Sequence, residues 1–261
     1  MNRTVMSIAG WDPSAGAGLG ADLKTISAFG LYGVGVVTSV TAQNTQGVQA
    51  IYDLPMEFVA QQIESLVEDI DVHAVKIGML GTARAVNIVA TLIQTLKLPN
   101  VVVDPVLKSS SGTALLEKKA ISVLKEKLFP LARVVTPNLA EASNLAGSRV
   151  SDIASMKKAA QALQRMGPET AVVTGGSVGG RAVDVLYDGK SFSIYDANRL
   201  ETTNTHGAGC TFSTAIACRL AQGSAIEDAV DGAKRFVLRS MDHPYRIGKG
   251  EGPLLHLPVS A

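Results

Sequence analysis

Short apolar, β-branched runs alternate with amphipathic stretches along nearly the whole chain. Runs at 5–9, 34–40, 48–54, 74–77, 101–104, 133–135 and 171–174 predict strands. Stretches at 19–29, 55–69, 82–96, 115–129, 138–145, 155–166, 210–221 and 225–241 predict helices, with Pro55 well placed in a first turn. "AVDVLYDGKSFSIY" predicts a hairpin turning at Asp188–Gly189. Strands that are apolar throughout, separated by helices, belong to a mostly parallel sheet covered on both faces. The expected fold is therefore a three-layer α/β/α sandwich. No linker, repeat or low-complexity tract interrupts the pattern, so residues 1–261 read as one domain; 261 residues, 46% of them hydrophobic, are enough for its core. In such sheets ligands bind beyond the carboxyl ends of the strands, which directs attention to the loops there.

Several function classes are excluded first. A formal net charge of +1 offers no field for nucleic acid or an anionic membrane. No run is long and apolar enough to span a bilayer. The N-terminal apolar run is broken by Asp12 and Pro13, unlike a signal peptide. Cys210 and Cys218, the two cysteines, lie roughly 12 Å apart if they share a helix, too far for a disulfide. Free thiols and a soluble composition place the chain in the cytoplasm. "GAGLGA" has dinucleotide-type spacing at Gly16, Gly18 and Ala21, but the acid that should hold a ribose is missing downstream. "DGKS" at 188–191 resembles the end of a phosphate-binding loop, yet sits in the hairpin turn. The four histidines, His73, His206, His243 and His256, show no metal-binding spacing, and His73 reads as an ordinary surface residue.

Three strand-end loops carry more. "NTHGAGCT" at 204–211 places Gly207, Ala208 and Gly209 where a helix begins, so unpaired N–H groups and the helix dipole offer an anion site. A tight strand-to-helix turn explains the same glycines. Cys210 could be a nucleophile, a metal ligand, a proton acceptor or a packing residue. Asp104 ends the strand "NVVVD", where a carboxylate suits a hard cation. "TPNLAE" sets Asn138 and Glu141 on one face of a helix start. Two carboxylates, an amide and an anion hole on neighbouring strand ends point to Mg²⁺ with a nucleotide polyphosphate. Asp22 and Gln43–Asn44 add an acid and amides for a ligand with both donors and acceptors.

Together these stretches resemble hydroxymethylpyrimidine/phosphomethylpyrimidine kinases, the thiamine-pathway branch of the ribokinase-like superfamily. The matching segments are "AGWDPSAGAGLGADLKT", "AQNTQGVQ", "KIGML", "DPV", "TPNLAEA", "NTHGAGCTFSTAIA", "AK" at 233–234 and "GKGEGP" at 248–253. The resemblance runs from residue 9 to 253, and leaves no room for a fused thiamine-phosphate synthase domain. It implies ATP-dependent phosphorylation of 4-amino-5-hydroxymethyl-2-methylpyrimidine and then of its monophosphate, with Mg²⁺, in a homodimer. It carries pyrimidine contacts to Gly10, Asp22, Gln43, Met79, Val106 and Cys210, and the anion hole to Gly207, Ala208 and Gly209. Asp104 and Glu141 take the magnesium side, and Asn138, Thr174, Gly176 and Lys234 the nucleotide side. Many superfamily members have Asp where Cys210 stands, as a base for the attacking hydroxyl; a helix N-terminus would favour the thiolate in that role. The chain departs from the pattern at Thr174–Gly175–Gly176, where a Lys is usual, at Gly20, where Gln is common, and at Trp11, where a small polar residue is common. Two other readings are a pyridoxal or pyridoxine kinase of the same superfamily and a nucleotide-binding relative without catalysis.

Overall fold

The structure, a computed structural model, describes residues 3–242 and 247–258; His243 lies outside them. Strands β1 (Thr4–Trp11), β2 (Tyr32–Asn44), β3 (Gly47–Asp53), β4 (Ala74–Ile77), β5 (Val101–Val103), β6 (Val134–Val135), β7 (Thr170–Thr174), β8 (Arg181–Tyr187) and β9 (Phe192–Asn198) form a nine-stranded sheet, ordered β3-β2-β1-β4-β5-β6-β7-β8-β9. The run from β2 to β7 is parallel, while β3, β8 and β9 add antiparallel edges. From β1 the chain steps first to one side, to β2, and then to the other, to β4. That reversal opens a crevice at the carboxyl ends of β1 and β4.

The helices are α1 (Gly18–Ala28), α2 (Met56–Asp69), α3 (Ala83–Thr95), α4 (Ala120–Val123), α5 (Leu139–Ala146), α6 (Ile153–Gln164), α7 (Ala208–Ala221) and α8 (Ile226–Asp242). Alternation along each strand feeds two cores. Met6 and Ile8 of β1, with Val101 and Val103 of β5, pack under Val59, Ile63, Val89 and Leu163 of α2, α3 and α6. Val5 and Val102 point the other way, to Ile26, Phe212, Ile216, Val230 and Phe236 of α1, α7 and α8. This is the three-layer sandwich expected from the sequence. Helix α7 is buried nearly all round, so its N-terminus is held rigidly at the crevice.

The helix expected over 115–129 begins only at Ala120 and continues through a π-helical turn, Leu124–Leu128, into a 3₁₀ turn, Phe129–Leu131. The reason is where the backbone N–H groups go. Leu115 donates to the Leu107 carbonyl (2.9 Å) and Glu117 to the Gly81 carbonyl (2.9 Å), so 107–117 returns on itself as a loop. Its leucines have helical spacing but tertiary partners. β2 also runs longer than expected, because pairing with β3 carries it out to Asn44. His73 is half-buried, not superficial: its Nδ1 accepts from the Thr4 N–H at 3.3 Å.

Candidate active site

A cavity of about 270 Å³ lies in the crevice. Gly10, Gln43, Met79, Val106, Asp104, Asn138, Glu141, Thr174, Gly207, Ala208, Gly209 and Cys210 all line it. A smaller cleft of about 160 Å³ shares Thr174, Ala208 and Gly209 and adds Gly176, Asp184, Phe212 and Lys234. The first turn of α7 is thus the wall common to both. Gly207 caps it with φ 84°, and a Cβ there would stand 1.9 Å from the Gly16 carbonyl oxygen; only glycine serves. At Gly209 a Cβ would meet nothing nearer than Asp104 Oδ2 at 3.9 Å, so it would project into open space. The N–H groups of Gly209 and Cys210 begin a helix and have no partner within it.

Two carboxylates face this turn. Asp104 follows β5 and accepts from Ser213 Oγ at 3.3 Å; it lines the cavity together with Cys210. Glu141 belongs to a capping box at the start of α5: Asn138 Oδ1 accepts from the Glu141 N–H (3.0 Å), and Glu141 Oε2 accepts from the Asn138 N–H (3.0 Å). Glu141 Oε1 also accepts from the Leu107 N–H (3.3 Å). Both acids are about nine-tenths or more buried. Burial, and then the charge of Asp104, holds Glu141 well above the ordinary carboxylate range. Burial likewise raises Asp104, with Lys76 pulling against it. A paired, hydrogen-bonded set of hard oxygens of this kind fits one divalent cation. Among the described residues no group of three or more His, Cys, Asp or Glu forms a closed metal cage; Mg²⁺ commonly takes only one or two carboxylates and completes its shell with water and phosphate.

Asp22 does not line the cavity. It lies fully buried beneath it, where Lys76 Nζ (2.9 Å), Ser7 Oγ (2.6 Å) and Thr214 Oγ1 (2.8 Å) occupy its carboxylate. A direct contact with substrate is sterically closed, and its role is to hold the fully buried Lys76 ammonium. Burial works to lower the pKa of Lys76, but the carboxylate charge of Asp22, and then that of Asp104, outweighs it and raises it. Lys76 is thus a fixed positive charge under the site.

Cys210 also differs from expectation. Burial pushes its thiol up to about 12, more than Lys76 and the Gly18 N–H on the sulfur draw it down. The resting residue is therefore a neutral thiol, not a thiolate, and the helix dipole does not offset the loss of water. Lys234 lines the smaller cleft but donates to Asp184 Oδ2 (2.8 Å) and the Ala182 carbonyl (2.8 Å), so its charge is already matched.

Residues 12–255 match the phosphomethylpyrimidine kinase family along almost the whole chain. The chain belongs to that family. It is 44% identical over 252 residues to the hydroxymethylpyrimidine/phosphomethylpyrimidine kinase of Streptomyces coelicolor, covering 97% of this chain and 93% of the relative. It is 43% identical over 255 residues to the thiamine biosynthesis bifunctional protein of Geobacter sulfurreducens, spanning 97% of this chain but only 52% of that protein. Among solved structures, the ADP complex of Bacillus subtilis pyridoxal kinase superposes with a TM-score of 0.92 at 34% identity, covering 98% of both chains. The ribokinase-like fold and the kinase class of this family member follow. No helix among the described residues is long and apolar enough to cross a membrane.

Trp11, singled out as a departure from the family pattern, lines the cavity and is 37% exposed. Within this kinase the cavity also holds residues not picked out as site residues: Thr136, Lys108 and the buried pair Asp12 and His206. Lys108 sits in the loop that precedes the expected helix; "KSSSG", a small polar run one residue after "DPV", was the available signal. Nothing in the spacing marks Lys76, whose partner is 54 residues away.

Proposed function

We propose that the protein transfers the γ-phosphoryl group of ATP to the hydroxyl of 4-amino-5-hydroxymethyl-2-methylpyrimidine, and then a second one to the resulting monophosphate. One observation carries this reading: two clefts, one sized and lined for a heterocycle and one beside it, meet at the open first turn of α7 next to Asp104 and Glu141. The pyrimidine occupies the larger cavity among Gly10, Gln43, Met79 and Val106. ATP lies along the smaller one past Thr174, Gly176 and Lys234, with Asn138 at the junction, its triphosphate ending at Gly207–Gly209. The ADP complex of the Bacillus relative supports the nucleotide assignment.

In the reaction the hydroxyl oxygen bonds to the γ-phosphorus as the bond to the ADP oxygen breaks. N–H groups of the α7 first turn donate to the phosphoryl oxygens. The Cys210 sulfur takes the hydroxyl proton while its own thiol proton passes to the Asp104 carboxylate, so the pair needs no free thiolate. Asp104 and Glu141 supply the donors for Mg²⁺, which when bound neutralises phosphate charge. Lys108, exposed and lining the larger cavity, is a cation available to phosphate in a chain that has Thr at 174 where the family usually has Lys.

A second copy completes the protein in this reading. β3 is an exposed edge, and Val40 (38%), Ile51 (37%), Tyr52 (64%) and Phe58 (53%) leave apolar surface around it. Likeness to a pyridoxal kinase motivates one comparison, kcat/KM for the pyrimidine and for pyridoxal under identical Mg-ATP. The pyrimidine should be preferred; preference for pyridoxal would replace the substrate assignment.

A further inference from the structure

The Asp12 carboxylate has every acceptor site in use. Ser14 donates to it through its N–H (2.9 Å) and Oγ (2.8 Å), Ala17 through its N–H (3.0 Å), and His206 Nε2 lies 2.9 Å away. Asp12 is 3% and His206 7% exposed. The first three contacts curl the β1–α1 loop; the fourth joins that loop to the start of α7, 194 residues on. Packing follows the same join. A Cβ on Gly16 would stand 2.2 Å from the His206 ring at Cδ2, so the loop lies flat on the imidazole. The His206 N–H in turn donates to the Gly252 carbonyl (3.1 Å), and Glu251 donates to the Thr45 carbonyl (3.1 Å) of the β2–β3 turn. The end of the loop abuts the first turn of α7 directly: a Cβ on Gly207 would stand 1.9 Å from the Gly16 carbonyl oxygen, and Gly18 lines the same cavity as Cys210.

We propose that the Asp12–His206 pair is a positioning clamp that holds the β1–α1 loop against the first turn of α7 and thereby fixes Cys210 at the wall of the cavity. Neither residue transfers a proton; each acts through the loop. The effect on rate rests on the phosphoryl-transfer reading above, but the effect on Cys210 does not. Removing a charge-assisted hydrogen bond at such a join should raise the open-loop population about ten- to hundredfold.

Rates of Cys210 labelling by iodoacetamide, read by peptide mass spectrometry on the whole protein, test the clamp. His206→Ala and Gly16→Ala, the second of which displaces the ring without removing a polar group, should label Cys210 about ten- to hundredfold faster than the unmodified protein. Cys218, fully buried in α7, should stay unlabelled in both. His206→Gln keeps an N–H for Asp12 and should return labelling close to the original rate. The kcat for pyrimidine should fall in step with labelling, with little change in the KM for ATP, since the smaller cleft does not touch the loop. Unchanged Cys210 labelling in either folded variant, or His206→Gln as open as His206→Ala, would overturn the clamp. If the unmodified protein phosphorylates no pyrimidine, the functional reading fails while the labelling still decides the clamp.

Discussion

Glu141 and Cys210 show how far a residue's surroundings move its chemistry. Glu141 sits near Asp104 with little water, and its folded pKa lies above the ordinary 4.5. Folding therefore favours its protonated form: the contribution is fully present below the unfolded value and is lost as pH rises through the folded one. Thermal melts of the ligand-free protein from pH 5 to 9 should fall less steeply for Glu141→Gln than for the unmodified chain. The same variant should lose more than about tenfold in kcat and need more Mg²⁺, because a carboxylate that neutralises phosphate charge through a metal has gone. Identical magnesium titrations would remove Glu141 from the metal side. For Cys210, a thiol held near 12 does not ionise between pH 6 and 9. The pH–rate profile of Cys210→Ala should thus keep its shape over that range while kcat drops toward the low end of about 10²–10⁴-fold. A limb present in the unmodified enzyme and missing in Cys210→Ala would show that the thiolate is the working form.

At the scale of elements, α7 does the most. Gly209→Ala should fold with near-native stability, since its methyl enters open space, yet lose activity because that space is where phosphate must sit. Gly207→Ala should lose about 2 kcal/mol or more through its left-handed backbone and the Gly16 contact. Denaturant melts alongside kcat separate the two; equal stability losses would contradict the difference. The elements themselves were largely legible: "VVV" at 101–103 and the amphipathic run of α3 can hardly be anything else. The start of the helix expected at 115 was not, because 115–117 run straight into its apolar stretch while the N–H groups of Leu115 and Glu117 bond to the distant carbonyls of Leu107 and Gly81. Asp22 was misplaced for a related reason. An acid early in a helix looks solvated until Lys76 comes from a strand 54 residues on to meet it. The motif does place Cys210 at a cavity wall, but burial, which sets its ionisation, is a tertiary property.

For the whole molecule, the sheet brings strand ends from β1, β4, β5, β6 and β7 to one crevice and leaves the β2–β3 hairpin projecting with exposed apolar side chains. Light scattering should give twice the 27.2 kDa chain mass, and Tyr52→Asp should shift it toward the monomer; a monomer in the unmodified protein would remove the second copy from the account. The central claim is one site that phosphorylates twice. Its most direct test is time-resolved mass spectrometry of the pyrimidine incubated with enzyme and Mg-ATP. Monophosphate should appear first and then convert to diphosphate, with both steps lost together in Asp104→Asn. Absence of phosphorylated pyrimidine, or loss of one step with the other intact in that variant, would contradict it.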